Sequence, residues 1–175
     1  MVWHYSMLSL KQAFIVNDNC GIIWIGVIIM EDKFDLERFV KEQERSFDIA
    51  YKEVSNGMKR SHWMWYIFPQ IIGLGMTYIS QKFSIKSIDE ARAYYEHHYL
   101  GKNLKDISNV LLTLDTDDAE EVFGYPDCLK LRSCMTLFAE AVPDDDVFQK
   151  VLDKFYGGEK DGRTLEILRQ IGKKN

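Results

Sequence analysis

The sequence predicts an all-α fold, a single multihelical domain of about six or seven helices. Three observations carry that expectation. Apolar residues recur at helical spacing through most of the chain after Met30. Only three prolines occur, Pro69, Pro126 and Pro143, which leaves long stretches free to be helical. A length of 175 residues suits one domain with a working core, and 46% apolar with 28% charged residues is a globular balance.

Residues 1–29 differ from everything after them. Gly21 to Met30 reads GIIWIGVIIM, an apolar run preceded by Asn17, Asp18 and Asn19. A membrane helix needs about 20 apolar residues, so this run is too short to span. Lys11 stands alone and no small-residue cleavage site follows, which argues against a signal peptide. A buried strand-like segment, a short atypical anchor, or sequence upstream of a true start at Met30 all fit. The last is favoured, because amphipathic order begins only there; residues 1–29 are expected to be a non-domain extension and 30–175 the helical domain.

From Asp35 the body unfolds in order. Leu36, Phe39, Val40, Phe47, Ala50, Tyr51 and Val54 repeat at helical spacing, with Asp35 as cap and Gly57 as stop. The aromatic run Trp63 to Phe68, ended by Pro69, is a short buried helix or a strand, and Gly73 and Gly75 mark a loop. Ser87-Ile88-Asp89-Glu90 is a capping box opening a helix from Ile88 to His97. Leu104, Ile107, Val110, Leu111 and Leu114 share one side of a helix from Tyr99 to Leu114. Thr116 caps a short acidic turn. Pro126 suits the first position of a helix that runs through Ala141 and cannot pass Pro143. A helix from Asp145 to Tyr156 ends at Gly157 and Gly158, and Asp161 or Thr164 opens the last, to Ile171. No internal repeat and no long linker divides these elements.

A net charge of −5 excludes attraction of the whole molecule to duplex nucleic acid or an anionic membrane, so any anion site must be a local patch. Cys20, Cys128 and Cys134 are odd in number and irregular in spacing, fitting reduced thiols of a cytoplasmic protein rather than disulfides or a metal site. Without HExxH or a His/Cys set at ligand spacing, neither a metal nor a cofactor is expected.

Three polar clusters are candidate chemistry: Lys59-Arg60-Ser61-His62 running into Trp63 and Trp65, Gly101-Lys102, and Asp127, Lys130, Arg132 and Ser133. Basic side chains and a hydroxyl supply donors for an anion, a tryptophan offers a flat face, and a helix start after Pro126 adds backbone donors. Each has a plainer reading. Lys-Arg ahead of aromatics is equally a solvated boundary or a source of ion pairs to the first helix, and the tryptophans are core or groove wall. Ser61 and His62, being adjacent, are no catalytic pair. His97-His98 suits a helix end without metal, and Gly73-Leu74-Gly75 is a weak glycine motif. Asp144-Asp145-Asp146 reads as a solvated helix start.

The stretches KRSHWMWYIFPQ (59–70), GLG (73–75), IDEARAYYEHHYLGKNL (88–104), FGYPDCLKLRSCMTLF (123–138) and DGRTL (161–165) resemble a family of small bacterial helical proteins of unknown function. Members have been labelled calpastatin without biochemical grounds. The likeness runs from about Asp35 to Leu168; it implies an all-α bacterial-type cytoplasmic protein and no established activity. The chain departs from the pattern in carrying His98-Tyr99 where a proline is common, Asn103 where an arginine is usual, and Cys128 and Cys134 in place of small or polar residues.

The functional expectation is a binding module or enzyme for a small anionic, nucleotide-like ligand. Its site would draw on Lys59, Arg60, Ser61, Trp63, Trp65, Lys102, Asp127, Lys130, Arg132 and Ser133. His62 is the choice of acid or base, because imidazoles titrate near neutral pH. The alternative is an interaction scaffold, with an aromatic groove and a basic flank. Both require residues 59–63 and the helix after Pro126 to meet.

Overall fold

The computed structural model describes Ala13–Ile15, Ile25–Val27 and residues 33–173. It falls into two compact units, Met1–Lys33 and Phe34–Asn175. In the first, β1 (Ala13–Ile15) and β2 (Ile25–Val27) pair antiparallel, with Phe14 opposite Gly26. Most of residues 1–29, including most of the apolar run, lies outside the described residues.

The second unit is all helical. It contains α1 (Glu37–Ser55), α2 (Met64–Ile67), α3 (Tyr78–Lys82), α4 (Ile88–Glu96), α5 (Leu100–Thr113), α6 (Ala119–Phe123), α7 (Asp127–Ala141), α8 (Val147–Tyr156) and α9 (Gly162–Gly172). The described residues thus hold nine helices, not six or seven. The excess comes from one-turn helices: α2 settles the aromatic run as helix, and α3 falls on a stretch to which no element was given. Elements of four or five residues span little more than one turn, too short for a helical repeat to show.

The centre of the unit is α7, which packs against α4, α6, α8 and α9. It is buried on nearly every side, from Leu131 through Cys134, Met135, Leu137 and Phe138. A helix apolar all round belongs inside. By contrast α1 buries one stripe, Phe39, Gln43, Ala50 and Val54, against α2 and α5. Among the described residues no helix is long and apolar enough to cross a membrane.

Three caps differ from expectation. Asp35 does not cap α1: it sits at φ 50°, and Leu36 takes the cap position without a side-chain bond. The Arg38 guanidinium explains this, because it binds the carbonyls of Phe34 and Asp35 and folds the chain back over the helix start. Asp118, not Thr116, caps α6; Thr116 instead accepts from the Asp118 amide and donates to Glu121. Pro126 stands at the cap of α7, one residue before its first turn. Ser87 does cap α4, accepting from the Glu90 amide at 3.1 Å.

Gly101 shows why α4 and α5 can meet so closely. A Cβ there would lie 1.7 Å from the Tyr95 carbonyl oxygen, so only glycine fits. The His97 ring spans the same junction, its Nδ1 accepting from the Tyr99 and Leu100 amides at 3.3 Å each. Its Nδ1 therefore serves the start of α5.

Candidate functional site

The turn after α1 and the start of α7 meet. The Lys59 amide donates to the Val122 carbonyl at 2.7 Å, which sets the turn beside α6. Lys59 Nζ then reaches Asp127 Oδ2 at 2.7 Å, and Lys130 Nζ reaches Asp127 Oδ1 at 2.7 Å. One carboxylate thus serves two ammonium groups. Burial tends to raise the Asp127 carboxyl, and the two lysines outweigh it, holding it below the ordinary carboxylate range.

Each lysine also covers a tryptophan. Lys59 Nζ lies 5.2 Å from the Trp63 ring centre and Lys130 Nζ 4.8 Å from that of Trp65, both within cation–π reach. Trp63 is a core residue at 1% exposure, edge-on to Phe123, whereas Trp65 is half-buried. Lys59 itself is only 8% exposed, so its ammonium is committed to Asp127. Lys130, at 23%, keeps access to solvent.

Behind this cluster stands Glu53, which the sequence did not single out. Its carboxylate accepts from the Arg60 amide at 2.8 Å, the Ser61 amide at 3.0 Å, the Ser61 hydroxyl, and the Trp63 indole at 2.8 Å. Burial pushes this carboxyl up, but the four donors prevail and hold it at about 2. Glu53 is therefore the frame of the 59–63 turn. Ser61 is spent on that frame, and Arg60 contributes its backbone there while its exposed side chain approaches Met58 Sδ at 3.8 Å. The ion pairs foreseen between Lys59 or Arg60 and the first helix are not the contacts made. No local pattern marks Glu53, because its donors arrive from the next loop.

His62 is exposed, and its carbonyl takes the Tyr66 hydroxyl at 3.2 Å. The remaining predicted residues lie in other contacts. Arg132 Nε donates to the Glu159 carbonyl at 3.0 Å and Nη2 to its carboxylate at 2.8 Å, fastening α7 to the loop before α9. Ser133 Oγ donates to Asp161 Oδ2 at 3.2 Å; the same oxygen caps α9 through the Thr164 amide at 2.9 Å. Lys102 is exposed on α5 and pairs with Asp106, one turn on. Lys59, Trp63, Trp65, Asp127 and Lys130 are thus brought together, with His62 and Arg60 adjoining in the chain. Arg132, Ser133 and Lys102 are not joined to them by any of these bonds.

Position 103 is internal. Asn103 Nδ2 donates to Gln43 Oε1 at 2.9 Å, and Gln43 Nε2 donates to the Tyr94 hydroxyl and the Tyr66 carbonyl, both at 2.7 Å. This buried network ties α5, α1, α4 and α2 together. Among the described residues no group of three or more His, Cys, Asp or Glu is placed to hold a metal ion.

The model of the family described as "Protein of unknown function (DUF1810)" matches residues 33–168. The chain belongs to this DUF1810 family. It is similar to the conserved hypothetical protein Rv1873 from Mycobacterium tuberculosis, solved by crystallography at 1.38 Å. The two share 42% identity and a TM-score of 0.77, covering 79% of this chain and 99% of that one. Among curated proteins none matches. The DUF1810 match spans the Lys59–Asp127–Lys130 cluster, Glu53 and the Gly101 junction.

Proposed function

We propose that the chain is a binding module for a small anionic, nucleotide-like ligand, received beside Lys130, His62 and Trp65. One observation supports this reading above others. Two lysines share a single carboxylate against two indoles, and with Arg60 they outnumber Asp127 and Glu53 by one charge in a chain of net charge −5. An ammonium is a point donor for phosphate, and Lys130 has N–H groups beyond the one turned to Asp127. Asp127 holds that ammonium in place, the half-buried Trp65 offers its ring as a wall, and exposed His62 stands as proton donor to a bound phosphate.

A thermal-shift titration with inorganic phosphate, AMP and ADP tests the reading. Ligand at about 100 times its Kd stabilises by roughly 2.7 kcal/mol, several degrees for a domain this size. The shift is expected in wild type and in Arg132→Ala, reduced in His62→Ala, and lost in Lys130→Gln. Equal stabilisation of Lys130→Gln removes the ligand from this face.

A second reading, an interaction scaffold, draws on Met58, Tyr125 and Leu129, which are 50%, 74% and 48% exposed beside Lys59, Asp127 and Lys130. Exposed apolar groups bordering a basic spot suit a partner's acidic segment. An acidic, aromatic-containing peptide followed by fluorescence anisotropy would then bind wild type and weaken with Leu129→Ser. Phosphate binding would not respond to that change.

A further inference from the structure

A cleft of about 800 Å³ lies between α4, α5 and the end of α7 with the Pro143–Asp146 loop. That volume falls in the small-ligand range, about 300–1,000 Å³. Its floor is tied together. Asp145 Oδ2 takes the Tyr95 hydroxyl and Lys105 Nζ, the latter at 2.6 Å, while Oδ1 takes the Val147 amide at 3.2 Å. Asp145 is thereby satisfied and fixes both partners. The loop is thus more than a solvated helix start.

The rim carries both signs of charge. Arg92 is anchored through Nε to the Ala141 carbonyl at 3.0 Å and pairs through Nη1 with Asp89 at 3.5 Å. At 50% side-chain exposure its Nη2 is left to meet a further carboxylate. Glu96 and Asp144 are exposed on the same lining, and Asp146 adds a third carboxylate, paired to Lys150 at 2.8 Å. Arg92 and Lys105 stand against Glu96, Asp144, Asp145 and Asp146, two cations to four anions, a net of −2. A simple anion is repelled by that sum, and a simple cation makes no use of Arg92 Nη2. Tyr95, Val142 and Pro143 supply apolar surface between the charged ends.

We infer that this cleft binds a free α-amino acid with a basic side chain. Its carboxylate meets Arg92, its two cationic groups meet Glu96 and Asp144, and its aliphatic stem lies on Tyr95 and Pro143. The site stands apart from the Lys59–Lys130 cluster and does not depend on the reading given to it.

The probe is L-arginine, titrated into the full chain by calorimetry and by amide chemical-shift mapping. Agmatine, which lacks the carboxylate, and L-citrulline, which lacks the side-chain cation, are the comparisons. Each is expected to bind at least tenfold more weakly than L-arginine, with shifts at Arg92, Lys105 and Ala141–Asp146. Arg92→Gln is expected to raise the Kd for L-arginine about tenfold and leave agmatine unchanged; Asp144→Asn is expected to weaken L-arginine and leave L-citrulline unchanged. Absence of saturable L-arginine binding, shifts elsewhere, or agmatine binding as well as L-arginine overturns the proposal. Circular dichroism of both variants shows whether the fold is retained, and wild-type discrimination among the three probes stands without them.

Discussion

Asp127 at the start of α7 lies 2.7 Å from Lys59, a lysine only 8% exposed in the turn that follows α1. Neither residue is near the other in sequence, and together they close the face where the tryptophan run begins. Removing one partner leaves the other charge half-desolvated, which costs about 3–5 kcal/mol in buried pairs. Lys59→Met and Asp127→Asn are each expected to destabilise by roughly 2–4 kcal/mol. The double variant should lose clearly less than the sum, as read from urea unfolding. Additive losses would show that the pair is not coupled.

Glu53 makes a pH-dependent contribution. Its folded carboxyl sits at about 2, against an ordinary value of 4.5, because four donors favour the charged form over the burial that opposes it. A depressed carboxyl contributes stability that is fully present above about 4.5 and lost as pH falls through about 2. Glu53→Gln should therefore lower stability at neutral pH by about 1–2 kcal/mol, less than the full shift because solvent screens this carboxylate, and the gap to wild type should shrink between those limits. Melting temperatures from pH 7 to pH 2 measure it; a gap constant across that range sinks the assignment.

Gly101→Ala is expected to be severe. The added carbon would meet backbone, the Tyr95 carbonyl oxygen at 1.7 Å, and backbone cannot swing aside as a long side chain can. Overpacking of this kind costs about 1–3 kcal/mol or more, so a melting temperature lower by several degrees is expected. An unchanged melt would mean that α4 and α5 do not approach in this way.

Arg38 and Glu90 make the other buried pair, at 2.5 Å with 9% and 1% exposure. Arg38 also donates to the carbonyls of Phe34, Asp35, Lys82 and Ser84, while Glu90 accepts the Lys86 amide. Arg38→Ala should thus cost more than Glu90→Gln, with the former on the order of 3–5 kcal/mol. Hydrogen exchange should quicken around residues 82–90 in Arg38→Ala; protection there equal to wild type would remove the clasp from the account.

The sequence alone determined the long helices. The stripe through α1, the runs of α5 and α8, the Ser87 cap and the Gly157 stop are local signals, written by neighbours three and four positions apart. The motifs that mark the family are local as well. Tertiary structure decided the rest. Arg38 and Glu90 are 52 positions apart, and Gln43 and Asn103 are 60 apart, so no spacing rule links them. The same holds for Asp127 as the partner of Lys59, and for Glu53 as the frame behind Trp63. Helical periodicity says which face turns inward; only packing brings two such faces together and chooses which carboxylate meets which cation.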